Sequence, residues 1–225
     1  MPGYLLHFAA CADASRTNRS FIVGVEMPDI LKKYYKSGGL EGAKLAYKSL
    51  ITKEMPDFKV FEERVQEQER DGKPCGMHYG VSSRPDIIYF WNSLSESEKK
   101  NPFWRGYLWH LITDLLMYSK LNIDAKFDEF MKKNIDSENF KELRKAEVAK
   151  LHDDWDKTNA KVRDIYPSVS ITAEVEEFGV VKYIDNNTLY YVDWPILKNT
   201  IDYLRRFNPL EDDLDEIIEQ VMKMV

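Results

Sequence analysis

Apolar residues recur at helical intervals along most of the chain, and the breaks between them mark where one helix gives way to the next. Leu40, Ala43, Tyr47, Leu50 and Ile51, then Phe58, Phe61 and Val65, predict two helices with Met55-Pro56-Asp57 as the turn between them. Residues 71–86, DGKPCGMHYGVSSRPD, gather Gly, Pro and Ser without a sustained period and read as a loop that carries His78. The stretch WRGYLWHLITDLLMYSK, Trp104 to Lys120, is apolar nearly all round except at His110, Thr113 and Asp114, the pattern of a helix buried in the middle of a fold. Asp124 to Ile135 follows as a short amphipathic helix through Phe127, Phe130 and Met131. Ser137 then reads as the N-cap of a long helix carrying Phe140, Leu143, Val148, Leu151, Trp155 and Val162, which Pro167 ends.

The remaining segments read differently. SFIVGVEMPDI looks like a β-rich apolar run that closes at Gly24 and turns into Pro28-Asp29. VVKYI and TLYYV are β-branched and aromatic, with Asp185-Asn186-Asn187 between them, so one small β-hairpin is expected near 178–193. Two helical segments follow Trp194-Pro195, the last with Leu214, Ile217, Ile218 and Val221 on one face. No internal repeat and no linker interrupts residues 1–225, so the expectation is a single mainly helical, all-α domain.

Composition narrows the function classes. With 44% hydrophobic residues the chain has ample core material, and its net charge of -6 is spread along the length without the basic stripe that a phosphate backbone needs. Nucleic acid is therefore excluded as a partner. No stretch reaches the ~18 apolar residues of a membrane span, so no stable membrane anchor is expected. The first apolar run has no Lys or Arg ahead of it, unlike a secretory signal, and two cysteines, Cys11 and Cys75, suit a reducing compartment. A cytoplasmic location is the expectation.

His110 and Asp114 lie four residues apart on the buried helix, which puts both on one face. An imidazole and a carboxylate so placed can ligate one divalent ion; alternatively, Asp114 is simply the partner that lets His110 be buried. Only four histidines occur, and His7, His78 and His110 all sit among apolar or small residues, in LLHFAA, CGMHYG and YLWHLIT. Asp29, fixed behind Pro28, is the leading further carboxylate, with a helix N-cap for the residues after it as the competing role. Cys11 and Cys75 read as small buried hydrophobes, and the aromatics of FWRGYLW and TLYYVDW as core.

Taken in order, LLHFAA, GVEMPDI, MHYG and the helix GYLWHLITD resemble the bacterial zinc-dependent phospholipase C family over roughly the first 120 residues. The resemblance implies the helical phospholipase C/P1 nuclease-like fold, with a metal cluster at the bottom of a cleft. It implies that Asp29, His78, His110 and Asp114 hold one zinc, and that His7 holds a second with Asp114 as bridging carboxylate. The implied activity is hydrolysis of a phosphoester, a phosphodiester above all, by a metal-activated water, with Asp29 as a ligand or as the catalytic base. The family's fullest sites have a further histidine where this chain has Lys120, and a histidine–glutamate pair whose nearest counterpart is His152 with Asp156. In its charge-rich helix that pair reads better as solvated surface. A small phosphoester is the implied substrate or ligand. The competing reading is a non-catalytic descendant, stabilised by metal, whose cleft binds a ligand or partner.

Overall fold

A computed structural model of the protein describes residues 4–50, 55–63, 76–81, 83–166 and 188–225. The longest helical run is α2, Arg19–Ser49, preceded by the short α1, Tyr4–Ala9. Helices α3 (Ile87–Asn92) and α4 (Glu96–Lys99) lead into α5 (Pro102–Leu121). Then come α6 (Ile123–Asn134), α7 (Phe140–Ile165), α8 (Trp194–Leu204) and α9 (Leu214–Met222). The described residues are mostly helical, as the spacing predicts, and their buried apolar side chains form one cluster. None of the described helices is long and apolar enough to cross a membrane.

Helix α5 lies at the centre. Phe103, Trp104, Trp109, Leu111 and Ile112 are all buried on it, and α2, α3, α8 and α9 pack around it. Its most extensive partner is α2, and glycine explains the closeness. A Cβ on Gly24 of α2 would stand 2.1 Å from the Phe103 carbonyl oxygen, and one on Gly106 of α5 would stand 2.1 Å from that of Phe21. The two helices therefore touch backbone to backbone through reciprocal notches, which any side chain would fill.

Three expectations need correction. SFIVGVEMPDI is helical, not a β run: Asn18 caps α2 by accepting from the Phe21 N–H, and Pro28 and Asp29 both lie inside the helix. β-Branched residues tolerate this because tertiary burial outweighs their weak helix propensity. Asp29 is thus no N-cap. Helix α2 is kinked at Gly39, just before Leu40, and its φ of 60° and ψ of -155° suit glycine. Second, the loop of residues 71–86 contains the one hairpin of the described residues, β1 (Gly80–Val81) paired antiparallel with β2 (Arg84–Pro85). The hairpin expected near 178–193 falls mostly outside the described residues, and 188–193 forms no strand. Third, the long helix starts at Phe140 after Asn139 rather than at a Ser137 cap; the Ser137 hydroxyl contacts the Asn139 side chain instead.

Residues 188–192 are held by α7 in place of strand pairing. One oxygen of the buried Asp154 accepts from the backbone N–H groups of Tyr190, Tyr191 and Val192 at 2.8, 2.6 and 3.0 Å. Lys157 donates to the Thr188 carbonyl at 2.8 Å. Tyr191 and Val192 are buried while Tyr190 is 57% exposed, so the aromatics of TLYYVDW are only partly core.

Candidate metal centre

Five side chains from four segments converge beside the α2–α5 contact. His7 comes from α1, Asp29 from α2, His78 from a 3-10 turn over Gly76–His78, and His110 and Asp114 from α5. All are buried: Asp114 and His110 are 0% exposed and Asp29, the most accessible, 6%. Two groups of ligand atoms lie close enough to share an ion, His7 with His110 and Asp114, and Asp29 with His78 and His110. Every site residue predicted from the sequence is therefore brought together.

The local folding explains each placement. The glycine notches bring the Val25 carbonyl of α2 within 2.7 Å of His110 Nδ1, which donates to it. That bond places the ring proton on Nδ1 and leaves Nε2 to face the cluster, the usual outer support of a metal-ligating histidine. The last carbonyls around α1 are taken by a side chain of α5 and by one just past the end of α8. Trp109 Nε1 donates to Ala10 at 3.2 Å, and the Arg205 guanidinium donates to Ala9 at 3.0 Å. His7 is carried on this anchored turn, its ring stacked on His110 with centroids 3.9 Å apart.

Asp114 divides its two oxygens. Oδ1 lies 3.4 Å from His7 Nε2, while Oδ2 lies 3.5 Å from His78 Nε2 and 3.5 Å from His110 Nε2. Asp29 Oδ1 lies 3.3 Å from His78 Nε2, and the Nε2 atoms of His78 and His110 are 3.2 Å apart. Both Asp114 oxygens, Asp29 Oδ1 and both His7 ring nitrogens are buried without a well-formed hydrogen bond. Such a set of orphaned polar atoms, lone pairs and one His7 N–H among them, is costly unless something satisfies it.

Electrostatics reinforce the point. Burial lowers His7 from 6.5 to about 3, with the neighbouring His110 adding to the effect, and burial lowers His78 as well. For His110, burial is outweighed by the Asp114 carboxylate, and its pKa is raised. Burial also opposes ionisation of the two carboxylates, yet the histidines around them overcome it. Contact with His78 holds Asp29 below the usual carboxylate range, and the charge of His110 does the same for Asp114. Two ionised carboxylates among mostly neutral imidazoles leave negative charge in excess, and a divalent cation is the counter-charge these donors fit.

The other candidates stay outside. Lys120 donates to the Met224 carbonyl at 2.7 Å. His152 is exposed on α7 and Asp156 half-buried, and neither joins a ligand group. Cys11 is buried, its thiol pushed up by burial and donating to the His7 carbonyl at 3.2 Å; Cys75 lies outside the described residues. Tyr118, no obvious substitute for a ligand on sequence grounds, lies one turn beyond Asp114 on the same face of α5. It is buried, and burial followed by the charges of Asp114 and Asp29 raises its pKa, so it is a neutral phenol. The i, i+4, i+8 spacing of His110, Asp114 and Tyr118 was the available signal. Tyr118 also lines a cavity of about 420 Å³, with Leu115, Ser119, Asn122 and Asp124.

Comparison of the chain with models of protein families, with curated proteins and with solved structures returns no match.

Proposed function

We propose that this chain is a metal-dependent phosphoester hydrolase, with zinc as the favoured ion and a phosphodiester as the favoured substrate. The observation that carries the reading is the division of Asp114, one oxygen toward His7 and the other toward His78 and His110. A carboxylate so placed suits the bridge of a two-ion site, with Asp29, His78 and His110 on one side and His7 on the other. The resemblance of LLHFAA, GVEMPDI, MHYG and GYLWHLITD to the zinc-dependent phospholipase C family points the same way.

Bound there, such ions would supply a water of lowered pKa and stabilise charge developing on the phosphoryl oxygens. The protein's own contribution is to fix the donors. Val25 sets the His110 tautomer, and Asp29, the most accessible of the five, would be the group to accept a proton from water where it is not itself a ligand. A small soluble phosphoester is the proposed substrate.

A second reading is a non-catalytic protein whose helices are fixed by metal. Lys120 favours it, because its amine is spent on the Met224 carbonyl where the family's fullest sites carry another histidine.

Elemental analysis of the purified protein beside His110→Ala tests the site. One or two equivalents of zinc lost in the variant would support it, and a variant with full metal content would sink it. Chelator-sensitive hydrolysis of bis(p-nitrophenyl) phosphate would separate the hydrolase from the structural reading.

A further inference from the structure

We propose that Tyr107 is a positioning residue for His78, acting through the hydrogen bond from its hydroxyl to the Met77 carbonyl; this rests on the metal-centre reading above. His78 is the one ligand carried neither by α1 nor by the α2–α5 pair. It ends a single 3-10 turn, and the chain leaves it through Tyr79 at φ 51° and Gly80 at φ 142°. A turn so short has little helical hydrogen bonding of its own to fix its orientation. Met77, adjacent in sequence, is 1% exposed, and its carbonyl accepts from the Tyr107 hydroxyl in a buried bond.

Tyr107 lies three residues before His110, so the helix that supplies His110 and Asp114 also holds the turn that supplies His78. Its ring is confined on several sides. Phe90 stacks on it at 5.1 Å and 20°, Tyr79 meets it edge-on at 6.2 Å, and Phe61 lies 5.9 Å away. A ring locked this way fixes where its hydroxyl points. The bond ties the backbone just before His78 to α5, while the Asp86 N–H, donating to the Tyr79 carbonyl, holds the chain just after it, and the Nε2 atoms of His78 and His110 stand 3.2 Å apart.

The test measures zinc affinity by competition with a chromophoric chelator, and the visible absorption of the cobalt-substituted protein. Tyr107→Phe keeps the ring and removes the donor, and is expected to weaken zinc binding by about 10- to 100-fold and alter the cobalt spectrum. Tyr47→Phe is the control, because it removes a comparable hydroxyl-to-carbonyl bond, to Pro56, away from the ligands. It should lower thermal stability and leave zinc affinity alone. In a His78→Ala background, Tyr107→Phe should cause no further loss, since its effect runs through that ligand. Zinc affinity unchanged in Tyr107→Phe, or a loss that persists in the His78→Ala background, overturns the proposal. If Tyr107→Phe does not fold, 4-aminophenylalanine at 107 keeps a donor against the carbonyl. Wild-type affinity then supports the proposal, and a loss of about tenfold or more overturns it. Absence of zinc binding in the wild type removes the metal-centre reading itself, a result distinct from either.

Discussion

The Val25 carbonyl accepts a hydrogen bond from His110 Nδ1 across the α2–α5 contact, and the reciprocal glycine notches at Gly24 and Gly106 are what bring the two groups together. Helix packing and the orientation of the His110 ring are therefore one feature of the molecule. Gly106→Ala places a methyl against the Phe21 backbone, where no flexible side chain can yield. It is expected to destabilise the protein by about 1–3 kcal/mol or more. Zinc affinity should fall as well, because the separation lengthens the bond that orients His110. Urea denaturation and chelator competition on one preparation check both, and a stable variant of normal affinity would contradict the account.

Removing metal should lower stability. Ligand binding to the native state alone adds about 2.7 kcal/mol at a hundredfold excess over Kd. Chelator treatment of the metal-loaded protein is thus expected to lower Tm by several degrees, and readdition of zinc to restore it. His110→Ala should show no such response to either treatment.

The metal-free protein should be acid-labile. His7 has a folded pKa of about 3 against an ordinary value of 6.5, so between these the unfolded chain binds more protons and stability falls with pH. Asp29 and Asp114, held below the carboxylate range, act in the same direction: their contribution is present above the unfolded value and lost as pH falls through the folded one. His110, raised, acts oppositely, losing its contribution as pH rises through its folded value. The sum favours loss on acidification, and thermal melts of chelator-treated protein between about pH 7 and 4 should show Tm falling. His7→Gln should flatten that slope, and an unchanged slope would contradict the assignment to His7.

Asp154→Ala should be among the more destabilising substitutions outside the centre. It strips the shared acceptor from three backbone N–H groups, at least two of them buried. Each such loss costs about 1–3 kcal/mol. Asp154→Asn retains an oxygen and should cost less. Amide exchange at Tyr191 and Val192 reports the effect directly: protection lost in the Ala variant and intact in the wild type is the expected result.

Much of this was legible in the linear pattern. The all-round apolar stretch from Trp104 to Lys120 fixed α5 as the central helix, because only burial on every side accommodates such a run. The periodicity of Leu214, Ile217, Ile218 and Val221 predicted a buried face that is present. The apolar neighbours of His7, His78 and His110 alone predict their burial, and all three are buried. Around Asp29 the local pattern misleads, since Val, Ile and Pro in GVEMPDI suggest a strand and a turn where packing against α5 imposes a helix. Asp29 still reaches the cluster, although Pro28 fixes it from within a helix and not behind a turn.

Sequence by itself thus determined which side chains could not be solvated and which two, His110 and Asp114, share a helical face, because these follow from composition and a period of 3.6. Tertiary structure alone decided that Gly24 and Gly106 meet, that Val25 sets the His110 tautomer, that Tyr107 holds the turn before His78, and that Asp154 clamps residues 190–192. Each joins groups far apart in the chain through a backbone atom, and backbone atoms are the same at every residue, so no pattern of side chains announces them.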